Sequence, residues 1–412
     1  MQTVKARNVN PYIMLFIITL FQLICLLTLI TSVGEEYRSD VLMTFGGYLM
    51  IEYAYFIGAR LVLGRRGFEV ELIAFLLTSI GLSITASVYP DGIVKQFIAV
   101  LVGIGGFVIL QWFLRDVKFC NSTRIPVAVL ALGLLVFTLV FAKVTNGAKN
   151  WIYVGGISIQ PSELVKVAFI FVGAASLEKL QSNRSLTKFV VFAFGCVGAL
   201  FLMYDFGTAL IFFFTFIVIA FMRSGDIRTI VLLCTIALMG GLLVLMFRPY
   251  VANRFEAYGH VWEYFDTSGY QQTRTMIYSA SGGLFGVGLG NGKLRDVFAA
   301  TEDLVFGVVC EEFGMIMAGA ILLSYIALLV YSIRHSKYAR SSFYAICACA
   351  AASLMLFQAA LNVFGVNDIL PLTGVTLPFI SRGGSSIISC WMLLAFIKAV
   401  DRSTYRYGGV RQ

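Results

Sequence analysis

Six acidic side chains, Glu52, Glu163, Asp205, Asp303, Glu311 and Glu312, fall inside or at the ends of long apolar runs. A carboxylate costs free energy in lipid, so each is a candidate for chemistry or for a neutralising partner. Glu163 and Lys166 are three apart at the start of a helix that Pro161 opens. That spacing puts them on one face as an ion pair, with the acid at the positive end of the helix dipole. Asp303 stands where a long polar loop meets the next apolar run. The "LVFGVV" that follows can strip water from its carboxyl and raise its pKa from about 3.9, toward use as a general base. Asp equally suits the N-cap of a helix over 304–332. Glu311 and Glu312 follow a little over two turns later, and one of them must face the protein interior. Glu52 has no evident partner.

The elements that position these residues are membrane spans. Of 412 residues 59% are hydrophobic and only 13% charged, a balance outside that of soluble domains. Only helices and closed barrels satisfy their own backbone in lipid, and the period-2 segments of a barrel are absent, which predicts an all-α polytopic membrane protein. About twelve transmembrane helices are expected, near 11–33, 41–63, 70–89, 94–114, 125–143, 163–178, 187–203, 206–222, 228–247, 304–332, 342–365 and 384–400. The pair around Tyr204 and Asp205 reads either as two spans or as one broken helix with a re-entrant piece.

Lys and Arg recur in alternate connections, from Lys5 and Arg7 through Arg60, Arg65 and Arg66 to Arg402, Arg406 and Arg411. By the positive-inside rule both termini are then cytoplasmic, and the net charge of +9 reports topology and not nucleic-acid binding. The N-terminal apolar run lacks a small-residue cleavage pattern and reads as a first span. Three polar loops, 144–162, 248–302 and 366–383, fall together on the outer side. The longest exceeds a simple connector and is expected to be ordered at the membrane interface. Its "GGLFGVGLGNGK" lacks Walker spacing, and reads as a turn that lets backbone approach either helices or a substrate phosphate. None of the eight cysteines lies in an outer loop, so disulfides are not expected, and with two histidines no zinc site is visible.

Five strings in order resemble the SEDS proteins (FtsW, RodA, SpoVE), membrane glycosyltransferases that polymerise peptidoglycan. They are "NGAKNWIYVGGISIQPSELVK" (146–166), "YDFGTAL" (204–210), "YQQTRTMIYSASGGLFGVGLGNGK" (270–293), "EDLVFGVVCEEFG" (302–314) and "LPLTGVTLPFISRGGSS" (370–386). The resemblance implies a ten-helix core plus two extra N-terminal helices. It divides the chain into 1–93, holding two or three N-terminal helices with that pair, and a core over 94–412. It further implies a multi-pass protein of the bacterial cytoplasmic membrane, whose extracytoplasmic site joins disaccharides from lipid II by inverting transfer.

In that reaction Asp303 takes the acceptor hydroxyl's proton, and cations stabilise the departing diphosphate. The outer pool of cations is Lys149, Arg248, Arg254, Arg274, Lys293, Arg295 and Arg382, with Lys149 and Arg382 inside the matching strings. A divalent cation, Mg or Mn, is one further candidate for the task. The resemblance places Lys149, Trp151, Glu163, Lys166, Gln271, Lys293, Glu311, Glu312, Ser381, Arg382 and Ser385 around the substrate. Trp151 reads equally as an interfacial anchor. A class B penicillin-binding transpeptidase is the implied partner, with membrane lipid around both. Asn150 stands where the family commonly has arginine, Arg382 where it has tyrosine, and "VFAATE" replaces a proline and a His-Thr. Arg382 is therefore expected to compensate for Asn150 at the diphosphate. The alternatives are a flippase or transporter, since intramembrane acids also mark substrate pathways, and a noncatalytic scaffold for a transpeptidase.

Overall fold

A chain this apolar must satisfy its backbone within each segment, and the computed structural model is accordingly a helical bundle. It describes residues 10–62, 64–65, 67–145, 147–155, 157–177, 183–228, 231, 234–235, 258–401 and 404. The helices are α1 (Pro11–Ser32), α2 (Arg38–Leu61), α3 (Glu69–Val88), α4 (Ile93–Phe113), α5 (Val117–Phe141), α6 (Pro161–Leu177), α7 (Asn183–Leu202) and α8 (Phe206–Ser224). They continue as α9 (Tyr270–Ser281), α10 (Val305–Glu312), α11 (Gly314–Ser336), α12 (Ser342–Val366) and α13 (Gly384–Ala399). Among the described residues eight helices are long and apolar enough to cross a membrane, and two shorter apolar ones occupy Thr187–Leu202 and Gly384–Ala399. With α6, these account for the expected spans except 228–247, which lies outside the described residues apart from single positions, and 304–332, which is divided. The termini used for sidedness lie largely outside them too, as do Arg248 and Arg254.

Three local features differ from expectation. The span expected over 304–332 is two helices, because Gly314 takes φ +83° and its Cβ position lies 2.4 Å from the Leu284 carbonyl oxygen. A side chain there would collide with backbone, so the break is built around that glycine. The loop expected over 144–162 in an all-helical chain instead holds, together with Lys143 from the end of the preceding expected span, a small antiparallel sheet of β1 (Lys143–Thr145), β2 (Ala148–Val154) and β3 (Ile157–Ile159), in the order β1-β2-β3. Seven residues with Trp, Ile, Tyr and Val suit a strand, and their shortness hides the alternation in a search tuned to spans. The fifth helix starts eight residues before the expected 125, since the Asp116 side chain accepts from the Lys118 amide and caps it. The break between α7 and α8 is real: Tyr204 sits at φ +60°, and Asp205 caps α8 by accepting from the Thr208 amide.

The centre of the bundle is α3, α12 and α13, whose residues are mostly buried, while α1, α2 and α5 expose broad apolar faces. Trp391 of α13 is fully buried and meets Phe75 of α3, Phe107 of α4 and Phe379 with ring centroids 5.0, 5.9 and 5.8 Å apart. Gly81 lets α3 lie directly on the 379–380 backbone, its Cβ position being 2.7 Å from the Phe379 carbonyl oxygen. We expect Gly81→Val to push the 377–382 segment off α3 and to lower stability by about 1–3 kcal/mol through overpacking. An unchanged thermal midpoint of the purified variant would contradict this packing.

The two N-terminal helices are tied to each other and to the rest of the bundle. Glu52, without a partner on sequence grounds, accepts from Gln22 of α1 at 2.7 Å, and both are buried. The Tyr37 hydroxyl bonds Asp91. Ser32 at the end of α1 lies 2.6 Å from the Cβ position of Gly290. At the other end of α3, Glu71 meets Lys398 at 3.1 Å and accepts from Tyr55 at 3.0 Å, fastening α2, α3 and α13. All eight cysteines are free.

Candidate functional site

Asp303 is carried on a turn between Ala299, at φ +63°, and the first residue of α10. The Glu302 and Leu304 amides both donate to the Ala299 carbonyl, which closes the turn. The N-cap position of α10 belongs to Leu304 and has no side-chain cap, so Asp303 is not placed as the cap that its type suggested. Its carbonyl instead accepts from Asn362 of α12 at 2.8 Å, and the same amide group donates to Val375. Asp303 Oδ2 lies 3.4 Å from the Cβ position of Gly374, so the carboxyl lies beside that glycine. The residue is half-buried.

The segment 370–383 forms the other wall and is itself pinned. Phe379 is held at φ +66°, a conformation that costs free energy and persists only where surrounding contacts impose it. Tyr325 donates to the Pro378 carbonyl at 2.6 Å, Gln358 to Thr376 at 2.8 Å, and the Gly383 amide to Gln96 at 3.2 Å. Ser381 donates to the Glu302 carbonyl at 2.6 Å while accepting from the Leu377 amide. Arg382 pairs with Glu302, donates to Thr301 Oγ1 at 3.0 Å and stacks over Tyr89 at 4.2 Å.

On its far side the same segment meets α8. The Cβ position of Gly207 is 2.9 Å from the Thr373 carbonyl oxygen and 2.7 Å from Val375. Asp205, at the head of α8, accepts from Asn150 at 3.0 Å and from Gln160 at 3.3 Å. The Lys149 amide donates to Met203, which fastens β2 to the end of α7. Lys149 and Trp151 are two apart on β2 and share the strand face opposite Asn150. Lys143 pairs with Trp151 in register and brings a second ammonium to that face. The hairpin, the α7–α8 break, residues 373–375 and the Asp303 turn are thus in continuous contact.

The remaining expected site residues are placed in the supports. Glu163 and Lys166 form the ion pair that their spacing called for, at 2.7 Å; Lys166 also donates to Gln358 and Glu163 accepts from Ser389. The group ties α6 to α12 and α13. Ser385 accepts from the Gln160 amide at 2.9 Å, and Gln271 donates to the Phe298 carbonyl at 3.0 Å, just before the Asp303 turn. Lys293 is exposed.

The glycine-rich loop approaches a helix. Its Val287 and Gly288 amides bond the Glu311 and Glu312 carbonyls, and the Cβ position of Gly286 lies 2.1 Å from the Glu312 carbonyl oxygen. The Glu311 carboxylate accepts from the Lys293 and Leu294 amides at 2.7 and 2.9 Å, while Glu312 accepts from Ser87 at 2.7 Å and Gly290 at 3.3 Å. Both acids face inward because both hold this loop. Glu311→Ala would leave two amides without their acceptor at a cost of about 1–3 kcal/mol each. We expect hydrogen exchange at Lys293 and Leu294 to quicken by about tenfold or more; protection at the wild-type level would show that Glu311 does not hold the loop.

Sequence reasoning did not single out Tyr89, Thr301, Glu302 or Asn362, which shape the Asp303 turn. Only Glu302, as an acid beside Asp303, carried any signal. Among the described residues no three His, Cys, Asp or Glu side chains converge as a metal site.

A family model described as "Cell cycle protein", FtsW/RodA/SpoVE, matches residues 68–406, which leaves α1 and α2 outside the match. Stage V sporulation protein E of Bacillus subtilis is 33% identical over 311 residues, covering 73% of this chain and 84% of that one. Peptidoglycan glycosyltransferase RodA of Mycobacterium tuberculosis is 29% identical over 334 residues, covering 76% and 71%. Among solved structures, a peptidoglycan synthase complex that coordinates polymerisation and crosslinking shares the fold with a TM-score of 0.66 at 24% identity, over 82% of this chain and 98% of that one. Thermus thermophilus RodA does so with a TM-score of 0.59 at 24% identity, over the same shares. With the family match running through both walls of the Asp303 site, the chain belongs to the FtsW/RodA/SpoVE family.

Proposed function

We propose that this integral membrane protein, a peptidoglycan glycosyltransferase, polymerises lipid II at the Asp303 turn. The observation that carries the reading is the seating of Asp303. Its backbone is tied through Asn362 to the Val375 carbonyl and its carboxyl lies beside Gly374, in a segment that touches, through the head of α8, the hairpin that bears Lys149. The acceptor sugar hydroxyl attacks the anomeric carbon of the polyprenyl-diphosphate donor from the face opposite the leaving group. The hydroxyl proton passes to the Asp303 carboxylate, the new carbon–oxygen bond forms, and the bond to diphosphate breaks with its electron pair leaving on oxygen. Lys149, with Lys143 beside it, supplies positive charge to that leaving group. The described residues do not by themselves make a donor set for a divalent cation. Trp151, at the edge of the bundle on the same strand face, suits a sugar ring or the lipid interface.

The site faces the outside of the cytoplasmic membrane and both termini face the cytoplasm, a reading that rests on the distribution of Lys and Arg. The partner is a class B penicillin-binding transpeptidase that crosslinks the new strand; the likeness to a synthase complex supports this. The two N-terminal helices are an addition to a ten-helix core. The test is strand formation from labelled lipid II by the purified protein with its cognate transpeptidase, in buffers with and without Mg or Mn. Glycan polymer is expected. A well-folded protein that makes none in any buffer would sink the proposal.

A further inference from the structure

We infer that Arg382 and Glu302 form a clamp that positions the Asp303 turn for catalysis, an inference that rests on the reading of Asp303 as the base. The two residues are eighty apart in sequence. The fold sets their side chains face to face. Three features of the Arg382 side chain are committed to this neighbourhood. One terminal nitrogen pairs with Glu302, Nε donates to Thr301 Oγ1 at 3.0 Å, and the guanidinium plane lies 4.2 Å from the Tyr89 ring centroid. Its amide donates to the Thr301 carbonyl at 2.7 Å, and the neighbouring Ser381 hydroxyl holds the Glu302 carbonyl at 2.6 Å. Residues 301 and 302 are therefore gripped through main chain and side chain immediately before Asp303.

This arrangement differs from the expectation that Arg382 meets the diphosphate in place of an arginine at 150. Asn150 is itself engaged with Asp205, and the Arg382 charge is directed at Glu302. The pair's side chains are 30% and 41% exposed, so water screens it and its contribution to global stability is small. Its effect is local. A base misplaced by about 1 Å can cost on the order of a hundredfold in rate, and a second carboxylate beside the base needs a counter-charge that keeps it turned away.

The test compares Arg382→Gln, Glu302→Gln, their double variant and Arg382→Lys with wild type, in steady-state polymerisation of labelled lipid II with the partner transpeptidase. Each single Gln variant is expected to lower kcat about tenfold or more, with KM within about twofold and an unchanged thermal midpoint. The double variant should be no slower than either single one, because both remove the same contact. Arg382→Lys should recover part of the loss, since the charge remains while the bond to Thr301 goes. Wild-type kcat in both Gln variants would overturn the clamp. So would a rise in KM confined to Arg382→Gln, which would put the guanidinium on the diphosphate. Asp303→Asn separates the two readings. If it stays active, the base assignment fails and the clamp's purpose with it; if it is inactive while the clamp variants match wild type, the clamp alone fails.

Discussion

Asp303→Asn should abolish strand polymerisation, lowering kcat by about 10²–10⁴-fold, the range a positioned general base contributes, while the protein keeps its thermal midpoint. The two halves of that expectation come from different atoms. The fold uses the main chain of residue 303, through the Asn362 bond to its carbonyl, and an asparagine leaves that bond intact. The chemistry uses the carboxylate, and an amide of the same shape fits beside Gly374 but cannot take a proton. The cap role does not compete for the carboxylate, because Leu304 holds the N-cap position of the following helix without a side-chain cap. Polymerisation assays at matched folding therefore report on the carboxylate's chemistry. Activity near wild type would remove Asp303 from the mechanism.

The second large effect concerns stability. Lys166→Met should destabilise the protein by about 3–5 kcal/mol, because it strands the Glu163 carboxylate in a buried site from which its counter-charge has gone. The pair is held at 2.7 Å with side chains only 1% and 6% exposed, and its outer bonds run to Gln358 and Ser389 on two further helices. Adding Glu163→Gln to Lys166→Met should restore much of the loss, since a neutral amide can still accept from Ser389. Thermal unfolding in detergent of the single and double variants reads both outcomes. If Lys166→Met melts with wild type, the pair does not brace the helices around the site. An unrescued double variant would mean that the lysine matters for more than neutralising Glu163.

Much of this molecule could be read from local sequence. Apolar runs of span length located the helices, because hydropathy summed over some twenty residues is a property of neighbours in the chain. The Glu163–Lys166 pair followed from helical spacing alone, and the helix break at Tyr204 and Asp205 was visible as an interruption between two runs. Gly314 was less legible. A glycine inside an apolar run reads as a tolerated helix residue, and only the Leu284 carbonyl oxygen 2.4 Å from its Cβ position explains the break. The β2 hairpin was missed for a related reason: a strand of seven residues beside a span offers too little periodicity to separate it from a loop.

Asp303 was singled out as a candidate base because of its type and its place at the end of a polar loop. The grip on it was not legible. Asn362 lies 59 residues away from it, and Arg382 reaches Glu302 across 80. Ser87 meets Glu312 across 225. Nothing in the spacing of such residues couples them. By itself the sequence determined which segments are helices in a membrane and which residues carry reactive groups, since both depend on side-chain type and near neighbours. Only the tertiary structure decided that Glu311 and Glu312 hold a glycine loop, and that Arg382 turns to Glu302. A buried charge takes whatever partner the packing of distant helices brings within hydrogen-bond reach, and that packing is set by the whole bundle.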